Sequence, residues 1–260
     1  MYLELNQINK VFTQTDKETL QDISLSVNKG EFICIVGPSG CGKSTLLNLV
    51  AGLDTPTSGE IILDGKPVKG PGSDRVVMFQ EAALYPWLNV MENVMFGLEA
   101  AGHSKDEQRE IAEKYLKLVQ LWNYRDYPIH QISGGMKQRT ALARSLALES
   151  KLLLMDEPFS ALDKQTINIL RAELEEIWEK NRKTILYVTH SVEEAVYFAD
   201  RVVVMAENPG RIKEIIPITL ERPRHIEGPE FTALRKQILD KVQLSTRQSM
   251  AIEFDSEEDV

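Results

Sequence analysis

The chain has 260 residues, of which 43% are hydrophobic and 27% charged, and its formal net charge is −9. This length and composition suit one large soluble domain, or one core with an inserted lobe. The acidic balance argues against a nucleic-acid groove as the main function, because phosphate backbones require a basic face. The two cysteines, Cys34 and Cys41, have no CxxC partner, which predicts a reduced, cytosolic protein. The N-terminus lacks the plan of a signal peptide, and no apolar run reaches the ~20 residues of a spanning helix.

The N-terminal stretch predicts two strands. Residues 2–11 and 20–27 alternate apolar and polar side chains, a period of two that is typical of half-buried strands. A polar turn is predicted at residues 13–17. Phe12 stands at the end of the first strand, and core packing is the default interpretation of such an aromatic residue.

A phosphate-binding loop comes next in the chain. Its pattern, G-x-x-x-x-G-K-[ST], is matched by the run Gly37-Pro38-Ser39-Gly40-Cys41-Gly42-Lys43-Ser44-Thr45. A strand-like apolar run, 31–36, precedes the loop, and a helical pattern, 44–53, follows it, which is the context that the motif requires. The glycines allow backbone N–H groups to turn toward phosphates, and the helix N-terminus adds a positive dipole end. Lys43 is predicted to reach the β- and γ-phosphates of a nucleotide, and Ser44 to ligate Mg²⁺.

The rest of the chain alternates strands with helices, except for one helical stretch. Further strands are predicted at residues 60–63, 75–79, 152–155 and 184–188. Helices are predicted at residues 90–101, 106–121, 141–148 and 165–180. From Glu81 to about Ser150 the strand pattern vanishes. The order therefore predicts an α/β core that an all-helical segment interrupts.

Two acids end the apolar strand at 152–155. Asp156 is predicted to hold Mg²⁺ through its water shell, and Glu157 to face the γ-phosphate and take a proton from an attacking water. Taken alone, a strand that ends in two acids is usually solvated edge charge. The presence of a phosphate loop in the same chain favours the metal and base interpretation.

Two further element ends carry polar residues. Ser133 is placed to cap a long helix, and Gly134 and Gly135 would expose backbone N–H groups there. A second anion site and a simple capped helix both remain open. His190 follows the strand at 184–188, where ligands gather in α/β sheets, so a functional histidine and a capping or core histidine both remain open.

Taken in order, these motifs resemble those of an ATP-binding cassette (ABC) ATPase over about residues 1–220. The set comprises the phosphate loop 37–45, Gln80, Ser133-Gly134-Gly135, Asp156-Glu157, Ser160-Ala161-Leu162-Asp163 and His190. The resemblance implies an α/β P-loop NTPase core with an N-terminal antiparallel β-subdomain and an all-helical subdomain inserted at about 81–150. A C-terminal helical extension with an acidic tail is expected at 221–260.

That extension has one apolar face, which predicts an amphipathic helix packed on its own core or on a partner. The face is formed by Phe231, Leu234, Ile238 and Val242. The acidic tail occupies residues 253–260.

The resemblance also implies roles for single residues. Phe12 corresponds to the aromatic that stacks on adenine, which reverses the preference for core packing. Gln80 corresponds to the glutamine that touches Mg²⁺ and the attacking water and senses the transmembrane partner. His190 corresponds to the switch histidine. The implied ligands are ATP and Mg²⁺, and the implied metal ligands are Ser44, Gln80 and Asp156.

The segment Ser133–Met136 resembles the signature loop, which contacts the γ-phosphate bound by the opposite subunit. Asp163 matches an acid that lies across the dimer interface. The signature usually ends in Gln where this chain has Met136, but the serine and glycine donors remain. The nitrate/sulfonate/taurine importer branch often has Met there, and Leu84-Tyr85-Pro86-Trp87 and Arg222-Pro223-Arg224 resemble that branch as well.

The implied function is the motor subunit of a membrane importer. Two copies would clamp two ATP molecules and drive a separate integral-membrane permease served by a solute-binding protein, from the cytoplasmic face of the membrane. The alternative is a soluble ABC ATPase of DNA repair or translation, which the single cassette, the missing CxxC and the acidic charge disfavour. A P-loop kinase would leave Ser133-Gly134-Gly135 without a role. The sequence does not identify the solute.

Overall fold

The computed structural model describes residues 1–12, 17–148 and 150–257. The predicted polar turn at 13–17 and the acidic tail therefore lie partly outside the described residues. The chain forms two compact units, one from Met1–Gly72 with Thr184–Val260 and one from residues 73–183. Among the described helices, none combines the length and the apolar character that crossing a lipid bilayer requires.

The elements are numbered along the chain. The N-terminal part contains β1 (Leu3–Phe12), β2 (Lys17–Val27), β3 (Phe32–Val36), α1 (Lys43–Ala51), β4 (Ser58–Leu63) and β5 (Lys66–Pro67). The middle part contains β6 (Arg75–Met78), α2 (Val90–Ala100), α3 (Lys105–Leu118), α4 (Gly134–Ala147), β7 (Leu152–Asp156) and α5 (Lys164–Asn181), with short 3-10 turns at Trp122–Tyr124 and Ile129–Gln131. The C-terminal part contains β8 (Thr184–Val188), α6 (Val192–Phe198), β9 (Arg201–Ala206), β10 (Arg211–Pro217) and α7 (Pro229–Glu257).

The first unit holds the predicted antiparallel β-subdomain, with strand order β2-β1-β4-β5. β1 pairs antiparallel with both β2 and β4. The alternation read from the sequence places Leu3, Leu5 and Ile8 of β1 in the core. One face of this sheet is therefore apolar and packed, and a register shift between Leu5 and Ile8 interrupts the period of two.

The same unit contains a second set of strands in the order β10-β9-β3-β8. β3 runs parallel to β8 and β9, and every residue of β3 and β8 is buried, as expected of parallel strands covered on both faces. Ile35 pairs with Val188, so β3 and β8 end at the same edge. The loop after β3 and the turn that contains His190 therefore emerge side by side.

Helix α7 packs on its own unit, against α6 and β9. Phe231 and Ile238 of its apolar face are buried. The Arg235 guanidinium contacts the Glu193 carboxylate of α6 at 3.3 Å. Of the two packing arrangements that the amphipathic pattern allowed, the structure adopts the one on the protein's own core. The helical backbone continues to Glu257, inside the predicted acidic tail.

The second unit contains the helical stretch between two parallel strands, β6 and β7. Helices α2, α3 and α4 contact one another. Capping boxes formed by Asn89 with Glu92 and by Ser104 with Glu107 fix where α2 and α3 begin. Helix α3 ends at Leu118, three residues before the predicted end at 121, because Gln120 adopts a left-handed conformation with φ 57°.

Candidate nucleotide site

The phosphate loop lies between β3 and α1 in the first unit. Lys43 is only 8% exposed, and its Nζ donates to the carbonyl oxygens of Gly37 at 3.0 Å and Pro38 at 2.7 Å. The ammonium is thereby held inside the loop. No side chain caps the N-terminus of α1, and its first turn contains no acid. Backbone N–H groups with a positive dipole end and a lysine cation form a set of donors that fits polyphosphate.

Two loop positions accept only glycine. A Cβ on Gly37 would lie 2.8 Å from the Met205 carbonyl oxygen of β9. Gly42 has φ +90°, and a Cβ there would lie 2.5 Å from Leu20 Cδ2 of β2. Residues of β9 and β2 therefore lie so close to the loop that a side chain does not fit at Gly37 or Gly42. The sequence motif alone does not reveal these contacts.

Cys41 contributes a buried, neutral thiol to this loop. Burial raises the pKa of the Cys41 thiol, and the Lys43 ammonium only partly offsets the rise. The Sγ atom lies 3.8 Å from Lys43 Nζ. A protonated thiol is a poor nucleophile, so we assign Cys41 to the packing of the loop and not to its chemistry.

Phe12 is 39% exposed at the end of β1, so the default interpretation of core packing is wrong. The Lys10 ammonium lies 4.8 Å from the centroid of its ring. Lys10 Nζ also pairs with Asp54 Oδ1 at 2.7 Å, which holds the lysine in place. Lys10 therefore contacts the Phe12 ring from one side. The ring has the exposure that stacking on a base requires.

His190 is exposed in the turn between β8 and α6. The sequence interpretation overlooked the residues around it. A buried carboxylate, Glu194, accepts hydrogen bonds from Tyr187 Oη and Thr189 Oγ1, each at 2.8 Å. The sequence does contain a signal for this carboxylate. Tyr187 and Thr189 lie two positions apart where β8 ends, and a glutamate follows in the first turn of the next helix.

The second unit brings together two predicted residues that are 77 positions apart. Gln80 Nε2 donates to Glu157 Oε2 at 3.2 Å. Asp156, the last residue of β7, is buried, and Glu157 directly after it has a left-handed backbone with φ 46°. Such a conformation is costly for a residue with a side chain, and it re-aims that side chain at the end of the strand.

The predicted signature segment begins α4. Ser133 is its N-cap, and its Oγ accepts from the Met136 backbone N–H at 3.3 Å. Since that bond uses backbone N–H, the departure from Gln to Met leaves it intact. Ser133 and Gly134 are exposed. A Cβ on Gly135 would lie 3.4 Å from Leu162 Cδ2, so the signature segment lies against the segment 160–163.

Asp163 is the N-cap of α5. Its Oδ1 accepts from the Thr166 backbone N–H at 3.0 Å, and its Oδ2 accepts from Thr166 Oγ1 at 2.6 Å. The hydroxyl bond and then the backbone bond lower the pKa of the Asp163 carboxyl. The carboxylate is exposed and ionised, so it is available to a group from outside the chain.

An exposed aromatic surface follows Gln80 in the chain and consists of Tyr85, Trp87 and Phe96. Trp87 is 74% exposed. The centroid of the Tyr85 ring lies 4.2 Å from the centroid of the Phe96 ring and 5.5 Å from that of the Trp87 ring. Arg144 of α4 donates to the carbonyl oxygens of Ala82 at 3.1 Å and Ala83 at 3.0 Å, which fixes the segment to the helical bundle. A rigid, exposed aromatic cluster is typical of a protein-binding surface.

The run Arg222-Pro223-Arg224 has a folding role. Arg224 is buried, and its Nη1 donates to the carbonyl oxygens of Val196 at 2.8 Å, Tyr197 at 3.0 Å and Ala199 at 2.7 Å. These carbonyls end α6 and need donors. The run is also part of the lining of a cleft of about 540 Å³, which residues 219–225 and 228–231 form. None of these residues is a predicted nucleotide residue.

The fold and these motifs define the class of the protein. A P-loop between a buried parallel strand and a helix, an antiparallel subdomain and a helical lobe with a capped signature segment are the parts of an ABC ATPase. The family model described as ABC transporter matches residues 20–160. The chain belongs to this family, which confirms the predicted fold class, and it is an ATPase.

Relatives span nearly the whole chain. The uncharacterized ABC transporter ATP-binding protein MJ0412 of Methanocaldococcus jannaschii is 53% identical over 240 residues, which cover 92% of this chain and 90% of that protein. The nitrate import ATP-binding protein NrtD of Synechococcus elongatus is 46% identical over 228 residues, 85% of this chain and 83% of that protein. The taurine import ATP-binding protein TauB of Yersinia pestis is 44% identical over 235 residues, 87% of this chain and 92% of that protein.

A solved structure is similar in fold and sequence. It is the dimeric structure of a post-hydrolysis state of the ATP-binding cassette MJ0796 bound to ADP and Pi. Its TM-score is 0.77 at 30% identity, and the match covers 84% of this chain and all of that chain.

Proposed function

We propose that the chain is the ATP-hydrolysing motor subunit of an importer for a small solute of the nitrate, sulfonate or taurine type. The observation that carries this proposal is near-full-length similarity to two import ATP-binding proteins with different solutes, at 46% and 44% identity. Because the named solutes differ while the cassette is similar, the cassette supplies work and a separate permease with its solute-binding protein selects the solute.

In this proposal the first unit binds ATP. The loop 37–45 surrounds the phosphates, Lys43 holds the β- and γ-phosphates, and Phe12 stacks on adenine. The exposure of Phe12 and the donors of the loop support these roles. Mg²⁺, when bound, would neutralise the negative charge that develops on the phosphates. Oxygen donors suit this hard cation, and we assign it to Ser44, Gln80 and Asp156.

Glu157 is the proposed general base. Its carboxylate accepts the proton of the attacking water, and the bond from Gln80 orients it for this transfer. The same bond links the base to the residue that precedes the aromatic surface. In this proposal a change at that surface is passed to the base through Gln80.

A second copy of the chain is the proposed partner at the ATP site. Ser133, Gly134 and Gly135 contact the γ-phosphate bound by the other copy, and Asp163 lies across the interface. The exposure of Ser133, Gly134 and Asp163 and the dimeric state of the similar solved structure support this assignment. His190 is the proposed switch histidine, and its place beside the phosphate loop at the sheet edge supports that role.

The aromatic surface is the proposed contact with an integral-membrane permease, which would hold the protein peripherally at the cytoplasmic face of the membrane. We further propose that residues 1–220 form the ATPase domain, with the helical subdomain at about 81–150, and that 221–260 form the extension.

Affinity purification of the tagged chain from native membranes in detergent tests this function. The expected result is a polytopic membrane protein in fixed ratio, in the wild type and in Lys43→Ala, because that change leaves the aromatic surface intact. Recovery with ribosomes or DNA-repair proteins and no membrane protein would support the soluble alternative. Ligand binding by the associated solute-binding protein then identifies the solute.

A further inference from the structure

A buried carboxylate that none of the proposed catalytic steps uses lies beneath the turn that carries His190. Glu194 is 7% exposed, and its Oε2 accepts hydrogen bonds from the hydroxyls of Tyr187 and Thr189. Both hydroxyl residues are buried. They lie two positions apart, Tyr187 in β8 and Thr189 directly after its last residue, and both hydroxyls reach the same carboxylate.

The Thr189 hydroxyl does more than donate to Glu194. Its Oγ1 also accepts from the Ser191 backbone N–H at 3.0 Å. The Thr189 backbone N–H donates to the Ile35 carbonyl oxygen of β3 at 3.2 Å, and Ser191 Oγ accepts from the Glu194 backbone N–H at 3.2 Å. The backbone is therefore held before His190 by the Thr189 N–H and after it by the Thr189 hydroxyl, which the Glu194 carboxylate orients.

The two hydroxyls that share Glu194 differ in what they hold. Tyr187 lies inside the strand, and its bond ties β8 to α6. Thr189 ties the turn itself, since its oxygen reaches across His190 to Ser191. Loss of either bond leaves a buried carboxylate with fewer donors and reduces stability. Of the two, only the Thr189 hydroxyl also bonds to the backbone of the turn that carries His190, so only its loss loosens that turn directly.

We propose that Thr189, oriented by Glu194, is a positioning residue for His190. The proposal rests on the role in ATP hydrolysis that the proposed function gives to His190. The imidazole is exposed, and the buried bonds beneath it fix the backbone from which it projects. Pre-organisation of this kind lowers the barrier, because a group displaced by about 1 Å can cost roughly a hundredfold in rate.

The test compares three substitutions in the full chain, with a fourth that replaces the first if it folds poorly. Thr189→Val keeps the shape and removes the hydroxyl, and we expect kcat to fall roughly tenfold or more while KM for ATP stays within about twofold. Thr189→Ser restores the hydroxyl and should restore kcat. Tyr187→Phe removes the other donor to Glu194 and should lower the melting temperature with kcat within about twofold of wild type. Thr189→Ala carries the same expectation as Thr189→Val if the valine variant folds poorly.

A second readout does not depend on activity. The chain has four histidines, so the imidazole Cε1–H NMR signal of His190 can be assigned with His190→Ala. We expect that signal to move or broaden in Thr189→Val and to keep its wild-type position in Thr189→Ser and Tyr187→Phe. An unmoved signal with wild-type kcat in Thr189→Val overturns the inference, as do equal losses of kcat in Thr189→Val and Tyr187→Phe.

The failure of the underlying role is distinguishable. If His190→Ala hydrolyses ATP at the wild-type rate, the role proposed for His190 is wrong, whatever Thr189 does. If His190→Ala is inactive and Thr189→Val is fully active, only the positioning inference is wrong.

Discussion

The Phe12→Ala substitution separates an adenine contact from core packing. Because the side chain is 39% exposed, its removal should reduce the free energy of unfolding by roughly 1–2 kcal/mol, less than the about 3–5 kcal/mol that a buried phenylalanine costs. Stacking of an aromatic side chain on a base contributes about 1–3 kcal/mol. The dissociation constant for ATP should therefore rise roughly 5- to 150-fold.

Calorimetric titration with ATP and with inorganic triphosphate is the assay. Phe12→Ala should weaken ATP binding and leave triphosphate binding unchanged, since the donors of the phosphate loop are intact. Phe12→Trp should keep ATP affinity, because tryptophan also offers a face for stacking. Phe96→Ala is the matched control: that ring is 43% exposed in the other unit, and its loss should not change ATP affinity.

Two results would refute this reasoning. One is a change in ATP affinity of less than twofold in Phe12→Ala. The other is an equal loss for ATP and triphosphate, which would mean that the substitution disturbs the phosphate loop itself.

Three other substitutions test the remaining parts of the account. Lys43→Ala should abolish ATP hydrolysis with an unchanged circular dichroism spectrum, because it removes the cation at the β- and γ-phosphates, and wild-type activity would reject the phosphate-loop assignment. A charge at Leu84 or Trp87 should abolish transport in membrane vesicles while basal ATPase activity of the isolated chain persists, and normal transport would exclude this surface as the permease contact. Arg224→Ala should lower the free energy of unfolding, measured in urea, by about 3 kcal/mol or more, since it leaves the carbonyls that end α6 without a charged donor. A loss below about 1 kcal/mol would contradict the folding role of Arg222-Pro223-Arg224.

Local features of the site could be predicted because their determinants are close together in the chain. The phosphate loop is specified by the spacing of its glycines and Lys43. Ser133 could be recognised at a helix start, since an N-cap acts on a backbone N–H three residues ahead, whereas Asp163 is assigned only through the family resemblance. The phosphate loop and Ser133 depend on short-range geometry, which sequence patterns encode directly.

Contacts between distant segments could not be predicted. The bond from Gln80 to Glu157 depends on the parallel pairing of β6 with β7, and nothing in either segment specifies that register. Residue type alone places Phe12 in the core, which is wrong, because its exposure depends on how its strand pairs and ends. The Thr189–Glu194 bond was overlooked because a threonine after a strand is common, and only the following helix places a carboxylate beneath it.

The ATP-dependent dimer tests the central claim most directly. Glu157→Gln removes the proposed base and keeps the size of the side chain, so ATP should bind without turnover and hold two chains together. Size-exclusion chromatography with light scattering should then give twice the mass of the chain with ATP and the mass of one chain with ADP, which lacks the γ-phosphate. Adding Ser133→Glu to this variant should place an acid beside the partner's γ-phosphate and return the protein to monomers that still bind ATP. A monomer in Glu157→Gln with ATP, or a dimer that survives Ser133→Glu, would contradict the two-chain mechanism.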